Sequence, residues 1–339
     1  MNRSSRGSSL CGHWHSSWLV ATLLVLLTAC GQQEVQGGPS FTTPSTASFN
    51  GVSRLDAEAG VVDVSISALN TTGELLSGTI TGPFATVSSV TTSAISPQQE
   101  TRAFAQVCGS IVDKGNITAI LTLDSTGSMS GSDPGRLRAV AAKRFISRMT
   151  SADTAAVASF DSGTAPTEPF TAIRLWQALT NDQVRLDAAV DNATFDSGGT
   201  NVWDAGVDSV NLLAEASGSN KTAVLLTDGG DNGSSSNPQD IIDLALAEGV
   251  NVSAIGLGRG VNAPELTEIA SATGGVFVSI ETADSLDVFF DRFFNATKAS
   301  GCVTLAFSPV PESGSTVEGD LFFGVNGTPL STTYSVFFP

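Results

Sequence analysis

The stretch Asn116-Ile117-Thr118-Ala119-Ile120-Leu121-Thr122-Leu123 (NITAILTL) is almost continuously apolar. A strand that alternates apolar and polar faces has one side in water; an unbroken run has both sides covered, as in a parallel sheet with helices on each face. Downstream, Asp133-Pro134 offers an N-cap and a proline for a first helical turn, and Leu137, Val140, Ala141, Phe145 and Met149 follow at helical spacing. Thr154 to Phe160 reads as the next strand, and Thr180-Asn181-Asp182-Gln183 matches a capping box before a helix. Thr222 to Thr227 (TAVLLT) is again a buried strand. Asn237-Pro238 caps a helix carrying Ile241, Ile242 and Leu246. Val250 to Leu257 is strand, Leu266 and Ile269 belong to a helix, Gly275 to Ile280 is strand, and Asp284 to Lys298 closes the series as an amphipathic helix. Regular alternation of strand and helix predicts an α/β fold, a doubly wound, mostly parallel and Rossmann-like sheet over residues 109–300.

The flanks have the other periodicity. Val64, Ile66 and Ala68 alternate with polar residues, Asn70-Thr71-Thr72-Gly73 is a turn signal, and Thr79 to Val87 continues the pattern. Val303 to Phe307, Leu321 to Phe323 and Tyr334 to Phe337 repeat it at the other end. Neither half is large enough to bury a core alone. They are expected to combine, 50–108 with 301–339, into one flanking Ig-like β-sandwich from which the α/β domain is inserted.

The N-terminus carries Arg3 and Arg6 and no acidic residue before Glu34, followed by the apolar stretch Trp18 to Ala29. That stretch is short for a bilayer span and has the layout of a secretion signal. It ends in Leu27-Thr28-Ala29-Cys30, which resembles the bacterial lipobox: residues 1–29 would be removed and Cys30 lipidated. The alternatives are an ordinary signal peptide or an uncut anchor helix. Gly31 after the cysteine, by resemblance to enterobacterial sorting, favours the outer membrane. Residues 30–49, rich in Gly, Pro, Ser and Thr, read as a flexible tether.

Composition narrows the chemistry. The 339-residue chain has 33 acidic and 16 basic residues, a net charge of −17 that disfavours nucleic-acid partners. Loss of the leader removes Arg3 and Arg6, taking the charge to −19, and removes His13 and His15, the chain's only histidines. Cys108 and Cys302 are then the remaining thiols besides Cys30. In an oxidising compartment two such thiols usually pair; two buried free thiols are the alternative.

Three segments place oxygen-bearing side chains where an open α/β sheet binds ligands, beyond the carboxyl ends of its strands. They are Asp124-Ser125-Thr126-Gly127-Ser128-Met129, Ser197-Gly198-Gly199-Thr200-Asn201-Val202-Trp203-Asp204, and Asp228-Gly229-Gly230-Asp231-Asn232 after Thr227. In this order and spacing they resemble the metal-ion-dependent adhesion site of von Willebrand factor A (vWA) domains, over roughly residues 109–300. The resemblance implies a vWA fold and a divalent cation held by Asp124, Thr126, Ser128, Thr200 and Asp228. Thr126, Ser128 and Thr200 would be direct or near-direct ligands, while Asp124 and Asp228 act largely through water. Thr126 stands where many members have serine, adding a methyl near the ion. Hard oxygen donors without histidine or cysteine suit Mg2+, with Mn2+ or Ca2+ as alternatives. The resemblance further implies a protein partner that offers an Asp or Glu to the metal.

Asp204, one turn after Thr200, is a candidate to hydrogen-bond a metal-bound water, or a plain helix-surface residue. Asp231 and Asn232 are expected to stabilise their own turn, Gly256 to Gly260 to form a tight strand-to-helix loop, and Phe289, Phe290, Phe293 and Phe294 to lie in the core. No histidine base, reactive cysteine, second metal or oxyanion donor set is legible in the mature chain, so an enzyme is not expected. The sequence thus points to a lipid-anchored envelope protein that binds a partner, for adhesion or for docking in an envelope complex. A metal-dependent hydrolase is the weaker reading.

Overall fold

The computed structural model describes residues 43–91 and 100–338, all within one compact unit. Residues 1–29, Cys30 and the tether up to residue 42 lie outside the described residues. Strands and helices follow in chain order as β1 (Thr46–Asp56), β2 (Val61–Leu69), β3 (Leu75–Leu76), β4 (Ile80–Thr91), β5 (Arg102–Asp113), β6 (Ile117–Asp124), α1 (Met129–Ser132), α2 (Leu137–Ser147), β7 (Thr154–Phe160), β8 (Ile173–Thr180), α3 (Gln183–Ala193) and α4 (Val202–Ala214). The series continues with β9 (Asn220–Thr227), α5 (Pro238–Glu248), β10 (Val250–Leu257), α6 (Ala263–Thr273), β11 (Phe277–Ile280), α7 (Leu286–Lys298), β12 (Ala299–Ser308), β13 (Ser315–Val325) and β14 (Thr328–Phe338).

β6 is buried along its whole length, as its unbroken apolar run requires. It lies parallel to β7 on one side and to β9 on the other, and β10 and β11 extend the parallel run. β8 adds an antiparallel edge. One face is covered by α2, α3 and α7, whose Phe145, Leu186, Phe290 and Phe293 pack on Leu121 and Leu123. The other is covered by α4, α5 and α6, whose Val210, Ile241 and Leu266 pack with Ile120 and Leu225. From β6 the chain winds outward to β7; from β9 it winds the other way through β10 to β11. Winding therefore reverses between β6 and β9, and loops leaving that pair diverge to opposite faces and open a crevice.

Two expected helix starts are corrected. Asp133 is not the N-cap of α2: Arg136 takes a left-handed conformation (φ 52°), which delays the helix to Leu137. The Asp133 carboxylate still accepts the amides of Leu137 and Arg138, from outside the helix. Thr180 ends β8, and the cap of α3 is Asp182, which accepts the amides of Val184 and Arg185. At α5 the Asn237 cap stands as expected, with Asp240 completing a capping box.

The terminal segments do come together. β1, β2, β12 and β5 continue the large sheet beyond β11, in the order β5-β12-β2-β1-β11, all antiparallel, while β4, β13 and β14 form a separate three-stranded sheet. Phe49, Val64, Leu305, Leu321 and Val336 share one core between the two. Of the terminal strands, β1, β2, β5 and β12 are therefore hydrogen-bonded into the α/β sheet, while β4, β13 and β14 pack against them as a second sheet. β1 begins at Thr46, inside the expected tether. A disulfide joins Cys108 on β5 to Cys302 on β12. Among the described residues no helix is long and apolar enough to cross a membrane.

Candidate metal centre

β6 delivers Asp124 to the crevice floor, fully buried. Its Oδ1 accepts the amide of Thr126 at 2.8 Å, turning the chain sharply. The turn is tied down by the Ser125 amide donating to Phe160 O (3.1 Å) and the Ser125 hydroxyl donating to Ala193 O. Beyond it the Thr126 and Ser128 hydroxyls lie 3.0 Å apart.

Two backbone bonds strap the second loop to the first: Ser197 N donates to Ser125 O (2.8 Å) and Gly127 N to Gly198 O (3.1 Å). Gly198 is left-handed (φ 60°), and a Cβ there would collide with the Gly163 backbone, so this approach requires glycine. Thr200 is fixed through its main chain: its amide donates to Asn232 Oδ1 (2.9 Å) and its carbonyl accepts from Asn232 N (2.8 Å). Its hydroxyl faces Gly229, where a Cβ would stand 3.2 Å from Thr200 Oγ1 and 3.9 Å from Ser128 Oγ. The two hydroxyls thus flank the same glycine.

β9 supplies Asp228, also buried. Its Oδ1 accepts from the Ser128 hydroxyl at 2.6 Å and its Oδ2 from the Ser132 hydroxyl at 2.5 Å. Asp124 Oδ2 accepts from the Thr227 hydroxyl (2.8 Å) and the Asp228 amide (3.4 Å). The five candidate ligands, from three distant stretches, thus converge at the point where the winding reverses.

Among the described residues no lysine or arginine pairs with either carboxylate. Burial pushes the Asp124 carboxyl up to about 6; the nearby Asp228 charge adds to the rise, and hydrogen bonds from Thr126 and Thr227 oppose it. Two buried acids with three hydroxyls and no basic side chain leave negative charge to be met by something else. An oxygen-only donor set of this kind fits a hard divalent cation.

Among the described residues Asp204 makes no hydrogen bond to any of the five. Its carboxylate accepts the amides of Ser235 and Ser236 (2.9 and 2.8 Å), so its observed bonds hold the loop before α5. Asp231 stabilises its own turn as expected, accepting from the amide and hydroxyl of Ser234. Asn232 does not: both its main-chain amide and its side chain clamp Thr200. Ser132 and Thr227 were also missed as orienting residues. Ser132 follows Ser128 by one helical turn and Thr227 precedes Asp228, so the only signal was adjacency.

A doubly wound α/β domain with an oxygen-only site at its switch point defines a class of cation-site binding modules. Residues 120–292 match the von Willebrand factor type A domain, and the chain belongs to this family. Similar solved structures include proximal thread matrix protein 1 from the mussel byssus (22% identity, 61% of this chain and 50% of that one, TM-score 0.46). A form of the same protein with a zinc-occupied MIDAS motif matches at 24% identity, 57% and 49% coverage and TM-score 0.46. A von Willebrand factor type A protein from Catenulispora acidiphila matches at 15% identity, 89% and 75% coverage and TM-score 0.43. The chain spans about half the length of the mussel protein. No curated protein matches the sequence.

Proposed function

We propose that this is a lipid-anchored envelope protein that binds a protein partner through a divalent cation in a MIDAS-type site formed by Asp124, Thr126, Ser128, Thr200 and Asp228. The observation that carries the reading is the chain of contacts Thr126–Ser128–Asp228–Ser132, with Asp124 behind it and, among the described residues, no basic residue paired to either acid. With hydroxyls as near ligands and the carboxylates held behind them, a bound Mg2+ is incompletely neutralised and leaves an open position for an Asp or Glu of the partner. The bound ion supplies a Lewis-acidic, locally positive point on an otherwise acidic surface. The residues around it orient and hold; we assign none of them a catalytic step.

In the same reading Cys30 carries the lipid, the protein sits at the outer membrane, the tether after Cys30 lifts the folded protein clear of the lipid, and the terminal strands make an Ig-like sandwich continuous with the α/β domain. Co-purification from envelope extracts tests the proposal, comparing wild type, wild type with EDTA, and Asp124→Ala. A partner retained only by metal-loaded wild type is the expected result; retention by all three would refute it. A partner from within the envelope would mean docking or assembly, and retention on external material would mean adhesion.

A further inference from the structure

β1 and β2 are paired along almost their full lengths, but β1 and β11 share a single residue pair, Val52 with Phe277. Beside it lies an open crevice of about 980 Å3, lined by residues of β1, β11, α7, β13 and β14.

Arg292 of α7 stands in that crevice, half-buried, with its guanidinium 4.7 Å from the Phe289 ring centroid and 5.8 Å from that of Phe49. Among the described residues it makes no hydrogen bond and no ion pair, whereas every other arginine on α2 and α7 has an acidic partner. Burial holds its pKa below the ordinary arginine value, and no acid offsets that. Two phenyl faces compensate a guanidinium only in part, and none of its donors has an acceptor. Glu318 and Asp320 of β13 also line the crevice; neither is paired with a cation among the described residues, and Glu318 accepts from the Ser89 hydroxyl at 3.0 Å. The crevice therefore holds one cation without an acid and, on a different element, two carboxylates without a cation, among apolar and hydroxyl side chains.

We propose that this crevice binds a short peptide, its free C-terminal carboxylate on Arg292 and its ammonium end toward Glu318 and Asp320. A bare anion would be repelled by a chain of net charge −17; a zwitterion is not. The volume suits a ligand of a few residues. The site is separate from the cation centre and does not depend on it.

The test uses the full chain and three probes: the tripeptide alanyl-alanyl-phenylalanine, its C-terminal amide, and its N-acetyl form, titrated by calorimetry and ligand-observed NMR at millimolar concentration. The free tripeptide is expected to bind at least about tenfold more tightly than the amide, as one charge-assisted contact would give. The N-acetyl form should also be weaker. Arg292→Met should lower the acid to the level of the amide while leaving the urea midpoint unchanged or raised, because it orphans no acid. Asp124→Ala should bind the tripeptide as wild type does. Equal binding of acid and amide, no binding of the acid, or an Arg292→Met variant that unfolds or still prefers the acid would each overturn the proposal.

Discussion

Replacing Arg138 by methionine should destabilise the protein by about 3 kcal/mol, toward the lower end of the ~3–5 kcal/mol seen when one partner of a buried ion pair is removed. Arg138 is the largest fully buried side chain of the described residues. Its guanidinium donates to Asp133 Oδ2 (2.9 Å), Asp196 Oδ1 (2.9 Å) and Phe195 O (2.8 Å). Methionine fills most of the volume but leaves the Asp133 carboxyl without its cation in a site with no exposure. Three features hold the cost down. Asp133 keeps two backbone donors, at 2.6 and 3.1 Å; Asp196 is 26% exposed and can be hydrated; and Arg138 Nε, which has no acceptor, disappears with the change. Adding Asp133→Asn removes the orphaned charge and keeps an acceptor for the Leu137 amide, so the double variant should recover at least ~1 kcal/mol relative to Arg138→Met alone. Urea unfolding followed by far-UV circular dichroism measures this, as a shift in midpoint at constant slope. A loss under ~1 kcal/mol for Arg138→Met, or simple additivity of the two changes, would refute the reasoning. The result bears on the site because Phe195 and Asp196 lead directly into the Ser197–Thr200 loop.

Ser132→Ala should lower Mg2+ affinity by about 10- to 100-fold in calorimetry, since its hydroxyl orients Asp228; unchanged affinity would remove Ser132 from the site. Burial alone would raise the Asp153 carboxyl, but bonds from Lys298, the Ile117 amide and Thr150 outweigh it and hold it below the ordinary value. A lowered folded value stabilises above the unfolded carboxylate range of about 3.9 and is lost as pH falls through the folded value. Wild type should therefore exceed Asp153→Asn in urea midpoint at pH near neutrality, with the gap closing in acid; a constant gap would contradict the assignment. The disulfide spans a sequence separation of 194, and replacing Cys108 and Cys302 with serine should cost about 2–5 kcal/mol of unfolding free energy, read by the same denaturation.

The α/β half of the fold was legible because burial on both faces writes itself as an uninterrupted apolar run. β7 and β10 fall on Thr154–Phe160 and Val250–Leu257 as read. Helix starts were less legible, since a carboxylate can satisfy the first amides from inside or outside the helix. Asp133 and Asp182 both do so, from positions that pattern alone does not distinguish. β8 was missed: it is a half-buried edge strand without a sustained apolar run. The terminal strands showed their alternation, but not that β1 would lie against β11. That contact rests on Gly51, whose backbone (φ 138°) meets Val278 so closely that a side chain would clash, and a lone glycine in a strand does not announce its neighbour.

The candidate ligands were legible for a different reason. Each of the three segments leaves the carboxyl end of a strand, or the loop entering a helix, on the side where a doubly wound sheet gathers its loops. Strand order then does what sequence distance conceals. β6 and β9 are adjacent, so Asp124 and Asp228 sit side by side although 104 residues separate them. What the sequence could not convey is orientation. Asp204 was the second-rank candidate and Asn232 was expected only to stabilise its own turn, yet the Asp204 carboxylate turns to the amides of Ser235 and Ser236, while Asn232 grips Thr200 at both its amide and its carbonyl. Both residues accept through a side-chain oxygen and donate through their own backbone amide, Asn232 to Thr200 and Asp204 to the Ser234–Ser236 loop. Placement in the chain, not side-chain chemistry, therefore decides the roles: Asn232 lies in the loop that leaves β9 beside Thr200, whereas Asp204 lies in the first turn of α4, against the loop that enters α5.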